Sequence, residues 1–230
     1  MARTLQLGTM NVHLSEPPGP GPHPAMVVCF HRTGIDAFTR TVTARLAYAG
    51  YVAAAPNFYH RRPAGEDTME SRNYQHDSDL VTDIGATLES LAAMPSVRAD
   101  RIGIMGHCMG GRVAFLGAAS FPAFRACGVF WGGSIGVARG EGRPAPLSLA
   151  GNVACPVLGV FGNDDQNPSP QNVKELADAL DAAGKSREFH SYDGAGHAFQ
   201  NFLDPARYRE EQAEDAWVKL FAFLDKTLKK

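Results

Sequence analysis

Gly106-His107-Cys108-Met109-Gly110-Gly111 is the stretch that decides the expected fold of this chain. The apolar run at 101–105 before it is typical of a buried strand, and apolar residues at helical spacing follow it. A strand, a tight glycine-flanked turn and a helix form a nucleophile elbow, in which the central side chain stands at the edge of a sheet. A Cβ atom at the flanking glycines would collide with the neighbouring strand and helix. The pattern therefore predicts an exposed thiol at Cys108.

Strand and helix patterns alternate on both sides of this turn. Continuous apolar runs are typical of strands buried on both faces of a sheet, and apolar residues three or four positions apart indicate helices. Such alternation predicts the α/β class, with a doubly wound, mostly parallel sheet and helices on both faces. The predicted strands are 5–8 and 12–14 (a hairpin), 25–30, 51–55, 101–105, 126–131, 157–161 and 188–192, and the predicted helices cover 38–49, 80–91, the segment after the elbow, 169–184 and a segment that opens at Asp204-Pro205.

Length and charge limit the function classes. The 230 residues suit one α/β domain over 1–230 without a large cap domain, because no repeat or linker divides them. The 22 basic and 24 acidic residues nearly balance, which argues against a nucleic-acid or membrane-surface partner. No signal peptide or spanning segment is recognisable, so a cytoplasmic location is expected. The protein is expected to be a monomer or a homodimer.

Four cysteines are widely separated along the chain. Cys29, Cys127 and Cys155 lie in or beside apolar strand patterns and are interpreted as small buried hydrophobic residues. Neither these cysteines nor the histidines show metal-ligand spacing, so no metal site is predicted. A catalytic thiol at Cys108 is more consistent with a reducing compartment than a disulfide framework would be.

Partners for a nucleophilic thiol follow two later strands. A thiol nucleophile needs a base, and the base needs an acid that orients it. The order nucleophile, acid, histidine is typical of α/β hydrolases. Gly162-Asn163-Asp164-Asp165 follows the strand at 157–161, and His197 follows the strand at 188–192. The Gly-x-x-Asp spacing favours Asp165 as the acid, with Asp164 as the alternative.

Other residues of the motifs receive different interpretations. His107 is expected to point away from the nucleophile and to pack. Ser134 lies in a second Gly-x-Ser-x-Gly pattern, but a glycine- and arginine-rich segment follows it in place of a helix, so Ser134 is interpreted as a loop residue. The predicted oxyanion donors are the backbone N–H groups of Met109 and of the loop 31–34, assigned to Thr33.

The motifs resemble those of the dienelactone hydrolase family of α/β hydrolases. The shared features are Gly106-x-Cys108-x-Gly110-Gly111, Gly162-x-x-Asp165, Gly196-His197 and the segments 30–36 and 46–56. The resemblance implies an α/β-hydrolase fold and a Cys-His-Asp triad that opens cyclic or activated esters through an acyl-thioester intermediate. It implies no cofactor, and a small-molecule ester or lactone as the partner.

Two positions depart from the family pattern. The family carries a glutamate where this chain has Arg32, and an arginine that grips the substrate carboxylate where this chain has Asn201. The substrate-pocket candidates are therefore His31, Arg32, Arg61 and Asn201. The polar stretches 60–75 and 132–151 are expected to form the pocket walls, because such excursions lie above the carboxyl ends of the strands.

Two function hypotheses follow. The first is a cofactor-independent hydrolase of an ester, lactone or thioester, with Cys108 as nucleophile, His197 as base and Asp165 as orienting acid. The alternative is a catalytically weak hydrolase-fold protein that binds a small molecule or senses oxidants through its thiol.

Overall fold

The structure is a computed structural model that describes residues 1–63, 65 and 75–229 of the chain. Its strands are β1 (Ala2–Leu7), β2 (Met10–Ser15), β3 (His23–Cys29), β4 (Val52–Pro56), β5 (Val97–His107), β6 (Cys127–Phe130), β7 (Val157–Gly162) and β8 (Arg187–Tyr192). Its α-helices are α1 (Ala37–Tyr48), α2 (Asp77–Ala92), α3 (Met109–Ser120), α4 (Pro170–Ala182) and α5 (Glu210–Leu228), and a 3₁₀ helix covers Pro146–Asn152.

The strands form an eight-stranded sheet in the order β1-β2-β4-β3-β5-β6-β7-β8. β1 and β2 form an antiparallel hairpin, and β2 also pairs antiparallel with β4. The remaining neighbours in the sheet, β4-β3-β5-β6-β7-β8, pair in parallel. The predicted hairpin and the predicted mostly parallel, doubly wound sheet are confirmed. In the described part of the chain, no segment builds a separate cap over the sheet.

Apolar side chains on the two faces of the sheet form two cores. Val27 and Cys29 of β3 belong to the core that α2, α3 and α4 cover, and Met26 and Val28 belong to the core under α1 and α5. Strands that are buried on both faces explain why the sequence shows continuous apolar runs rather than alternation. None of the helices in the described ranges is long and apolar enough to cross a membrane.

Of the two helix starts predicted from capping residues, one is confirmed and one is wrong. Ser169 caps α4 as predicted, since its hydroxyl accepts a hydrogen bond from the Asn172 N–H at 3.2 Å. The predicted helix start at Asp204-Pro205 is wrong, because the last helix begins at Glu210. Residues 201–209 form turns instead, and the Arg209 N–H donates to the Phe199 carbonyl at 2.9 Å just before the helix starts.

Candidate active site

Cys108 occupies the sharp turn between β5 and α3. Its φ of 56° lies in the left-handed region, which a residue with a side chain rarely adopts. A Cβ atom on Gly106 would overlap the Gly110 carbonyl, and one on Gly110 would overlap the Cys29 carbonyl. Glycine at both positions lets the turn pack directly on β3. The thiol consequently sits at the N-terminus of α3, where the helix dipole favours a negative charge.

The carboxyl ends of β5, β7 and β8 bring three predicted residues together. His197 Nε2 lies 3.0 Å from the Cys108 sulfur, and His197 Nδ1 lies 2.8 Å from Asp165 Oδ2. Asp165 is 2% exposed, and its Oδ1 accepts a hydrogen bond from the Asn167 N–H at 2.8 Å. Asp164 is exposed to solvent. Of the two neighbouring aspartates, Asp165 is thus the one that contacts the histidine.

Cys108 and His197 shift each other's pKa values towards the charged forms. Burial acts to raise the pKa of the Cys108 thiol, but the hydrogen bond and the charge of His197, with two backbone N–H groups, lower the pKa below its ordinary value. Burial acts to lower the pKa of His197, whereas its hydrogen bonds to Asp165 and Cys108 raise the pKa to about 9. Both shifts favour a thiolate beside an imidazolium.

The other three cysteines have the opposite electrostatic surroundings. Cys29, Cys127 and Cys155 are buried, and burial raises the pKa of each thiol. Their interpretation as small buried hydrophobic residues is confirmed. Among the four thiols, only Cys108 has a pKa that is shifted towards reactivity.

The backbone N–H groups of Met109 and Arg32 act to lower the pKa of the Cys108 thiol. The Arg32 N–H belongs to the loop 31–34 after β3, next to Thr33, and the assignment of the second oxyanion donor to Thr33 stays a prediction. The Thr33 hydroxyl hydrogen-bonds to Asp36 Oδ2 at 2.6 Å. The Tyr59 hydroxyl donates to the Arg32 carbonyl at 2.8 Å and holds this loop in place, a contact that the sequence analysis missed.

Aromatic rings surround the histidine and the elbow. The Trp131 ring meets the His197 ring edge to face at 5.2 Å, and its Nε1 donates to Gln200 Oε1 at 3.1 Å. His107 is buried between the Phe38, Phe130 and Trp131 rings, with ring centroids 4.8 to 5.3 Å away. The expected packing role of His107 is confirmed.

A cavity of about 580 Å³ opens above the thiol. Three of the four predicted pocket residues line it, namely His31, Arg32 and Asn201, and Thr33, predicted as an oxyanion donor, lines it too. Arg61 is not among the lining residues, because its guanidinium binds Asp83 with two hydrogen bonds of 2.6 and 2.9 Å. Arg61 therefore lies outside the lining of this cavity. The His31 ring is also engaged, since its Nε2 lies 2.8 Å from Asp36 Oδ2.

The walls of the cavity agree in part with the predicted loops. Gly133, Ser134 and Arg139 of the segment 132–151 line it, and Ser134 is a loop residue as predicted. Most of the segment 60–75, predicted as a second wall, lies outside the described residues. Arg139 and Arg207 also line the cavity and were not selected from the sequence. Both lie in irregular segments, where no periodicity tells which side chain points inward.

Known proteins share this sequence pattern and this fold. Residues 10–228 match the profile of the Dienelactone hydrolase family. A relative from Methylorubrum extorquens, named "Putative carboxymethylenebutenolidase", is 31% identical over 226 residues, covering 94% of this chain and 76% of the relative. A relative from Bradyrhizobium sp, named "Probable 2-oxo-3-(5-oxofuran-2-ylidene)propanoate lactonase", is 31% identical over 219 residues, covering 92% and 87%.

A solved structure is similar along its whole length. It is described as a "Putative Dienelactone Hydrolase" from Klebsiella pneumoniae, and it superposes with a TM-score of 0.89 at 28% identity, covering 97% of this chain and 98% of the other. The chain belongs to the dienelactone hydrolase family. The resemblance, the α/β-hydrolase fold and the enzyme class, a hydrolase of carboxylic ester bonds, are confirmed.

Proposed function

We propose that this hydrolase cleaves an ester, lactone or thioester by covalent catalysis, with Cys108 as nucleophile, His197 as acid and base, and Asp165 as orienting residue. The observation that carries the proposal is the continuous contact from the Cys108 sulfur through His197 to Asp165, over 3.0 and 2.8 Å. Nucleophile, base and orienting acid within hydrogen-bond reach are the arrangement that nucleophilic catalysis requires.

The first half of the reaction forms an acyl-enzyme. The Cys108 thiolate attacks the carbonyl carbon, and the carbonyl oxygen takes up the negative charge between the N–H groups of Met109 and Arg32. The C–O or C–S bond of the leaving group then breaks as His197 gives it a proton. Donors that are fixed before the reaction stabilise this charge without reorganisation, and one such donor is worth about 3 kcal/mol.

The second half regenerates the thiolate. Neutral His197 takes a proton from a water molecule, which attacks the acyl-thioester carbonyl, and the carboxylic acid product leaves as the S–C bond breaks. Asp165 stabilises the imidazolium and keeps Nδ1 protonated, so that Nε2 faces the reacting atoms. For a lactone, the leaving alcohol and the acid remain in one molecule, and the product is a hydroxy acid.

The experiment that tests the proposal follows p-nitrophenol release from p-nitrophenyl acetate from the first milliseconds. We expect a burst close to one equivalent of protein and then steady turnover. Cys108→Ala should abolish both, and Cys155→Ala, which removes a buried thiol that does not line the cavity, should retain both. A separate mass measurement of the quenched protein should show one added acetyl group on the peptide that carries Cys108.

Other results would contradict the proposal. Full turnover by Cys108→Ala would exclude the thiol as nucleophile. A burst without turnover, together with reversible oxidation of Cys108 by peroxide, would favour the alternative of a thiol sensor on a hydrolase fold.

A further inference from the structure

Arg139 lines the same cavity as the thiol, yet its guanidinium has no carboxylate within ion-pair distance among the described residues. Its side chain contacts the Gln75 side-chain oxygen at 3.4 Å. Burial and the charge of Arg112 lower the pKa of Arg139, while the charges of Asp77, Tyr59 and Cys108 raise it. A half-buried cation that forms no ion pair with the described residues is stabilised when a ligand supplies the opposite charge.

Gln75 supplies a second, independent observation. Its side chain is 2% exposed, and its Nε2 has no hydrogen-bond partner among the residues that the structure describes. Buried side-chain amides normally satisfy their donors, so an unpaired N–H group beside Arg139 is unusual. Of the two residues, Arg139 is the one that lines the cavity, and an oxyanion there can accept from its guanidinium.

The remaining charges of the cavity do not neutralise Arg139. Asp165 is bound to His197, and Asp204 faces Arg207 at 3.4 Å. Arg32 at the rim has no carboxylate in ion-pair contact in the described ranges. The cavity therefore presents more cationic than anionic groups to a ligand, and Arg139 is the most buried of its arginines.

The backbone of Arg139 is fixed by a buried ion pair. Asp77 at the start of α2 accepts from the Arg139 N–H at 2.9 Å, and the Asp77 N–H donates to the Arg139 carbonyl at 2.8 Å. Arg112 of the elbow helix binds the same carboxylate with two bonds of 2.7 and 2.9 Å, and both side chains are fully buried. Arg112 also donates to the Ser134 carbonyl at 3.2 Å. The helix that carries the nucleophile thus sets the position of Arg139.

We propose that Arg139 determines substrate specificity by binding an anionic group of the substrate, a carboxylate or an equivalent oxyanion, and that the Asp77–Arg112 pair positions it. The proposal rests on the proposed function of Cys108. It assigns the anion contact to the loop after β6, whereas the family resemblance places it at Asn201, an uncharged residue in this chain. A planar guanidinium suits this contact because it donates two parallel hydrogen bonds to an oxyanion.

The test compares iodoacetate with iodoacetamide as alkylating agents of Cys108. In both reactions the thiolate sulfur forms a bond to the CH₂ carbon and iodide leaves, so the reagents differ mainly in the charge next to that carbon. The ratio of the two rate constants reports anion recognition at the thiol and needs no turnover. We expect Arg139→Gln to lower the iodoacetate-to-iodoacetamide ratio roughly tenfold, since charge-assisted hydrogen bonds are the stronger ones.

Arg143→Gln is the matched control, because it removes the same charge from the same loop at a residue that does not line the cavity. Its ratio should equal that of the unmodified protein. An unchanged ratio in Arg139→Gln, or an equal fall in both variants, would overturn the proposal. Failure of the proposed function has a different signature, namely the absence of a Cys108-dependent burst with p-nitrophenyl acetate.

Asp77→Asn tests the positioning part. If the variant keeps its circular dichroism spectrum, its iodoacetate-to-iodoacetamide ratio should fall as it does in Arg139→Gln. The ratio of the double variant, Asp77→Asn with Arg139→Gln, should be no lower than that of Arg139→Gln. If Asp77→Asn does not fold, Arg112→Lys, which keeps the buried charge but loses the two-bond contact, takes its place. Substrate kinetics supply a second readout, in which Arg139→Gln should raise KM for 4-acetoxybenzoate by a larger factor than KM for methyl 4-acetoxybenzoate. A fall in kcat for both esters would contradict a specificity role.

Discussion

His197 Nδ1 and Asp165 Oδ2 are 2.8 Å apart, and this contact distinguishes Asp165 from its neighbour Asp164. Successive side chains at the end of β7 point in different directions, so one carboxylate is buried beneath the histidine while the other is exposed to solvent. A buried carboxylate that accepts from the imidazole N–H fixes the orientation and the tautomer of the ring.

Asp165→Asn should therefore lower kcat severely while Asp164→Asn should not. Asparagine at 165 can donate to Nδ1 and stabilise the wrong tautomer, an effect that costs roughly 10⁴-fold in kcat in a comparable triad. Substitution of the exposed Asp164 should change kcat by no more than about twofold. Steady-state hydrolysis of p-nitrophenyl acetate by the two purified variants measures both effects. A similar loss in the two variants would mean that the 2.8 Å contact does not serve the reaction.

The pH dependence of Cys108 alkylation should reveal the contact with His197. The thiolate reacts and the thiol does not, so the rate with iodoacetamide rises as pH passes the pKa of Cys108. Because that pKa is lowered, the midpoint should lie below 9.0, the ordinary value for a cysteine thiol. In His197→Asn, burial is no longer offset by the imidazolium, and the midpoint should rise above 9.0. A midpoint that the substitution leaves in place would show that the two groups are not coupled.

Hydrolysis should show a second limb at alkaline pH. The pKa of His197 is raised to about 9, so the imidazolium persists at neutral pH and loses its proton as pH rises through that value. The leaving group needs this proton, and kcat/KM should fall above about pH 9, whereas alkylation of the thiolate should not. Because Cys108 and His197 interact, the two pKa values that the pH profile reports describe the pair and not either residue alone. Parallel pH profiles for hydrolysis and alkylation would contradict this assignment.

Tyr59→Phe should slow acyl transfer without removing any group that reacts. The Tyr59 hydroxyl donates to the Arg32 carbonyl at 2.8 Å, and the Arg32 N–H is one of the two donors near the sulfur. Loss of a neutral hydrogen bond corresponds to about 1 kcal/mol, which predicts a fall of roughly fivefold in kcat. Tyr48→Phe is the control, because Tyr48 is 93% exposed on α1. The burst rate constant is the measurement, and an unchanged rate in Tyr59→Phe would exclude a positioning role.

The sequence predicts the parts of this molecule that follow from local pattern. Local pattern predicts the glycines of the elbow, the apolar runs and the order of Cys108, Asp165 and His197. It does so because the formation of strands, turns and helices depends on neighbours along the chain. The same reasoning placed a helix start at Asp204-Pro205, where a good capping pair is overridden by the tertiary contact of Arg209 with Phe199.

Residues that depend on distant contacts could not be chosen in advance. Arg139 lines the cavity because Asp77 and Arg112, far away in sequence, fix its backbone, and Arg61 does not line it because Asp83 binds it. A local pattern fixes the element on which a side chain lies, and the packing of other elements decides where that side chain points.

The glycines of the elbow offer a direct test of the turn itself. An added methyl group on Gly106 would overlap the Gly110 carbonyl, a backbone atom that cannot move away as a flexible side chain could. Gly106→Ala should therefore lower the free energy of unfolding by about 3 kcal/mol or more, in line with overpacking of a tight core. Gly151→Ala is the control, because an added Cβ there meets nothing within 4 Å. Urea unfolding followed by circular dichroism measures both values. Equal midpoints for the two variants would show that the turn tolerates a side chain and that close packing against β3 does not explain the glycine.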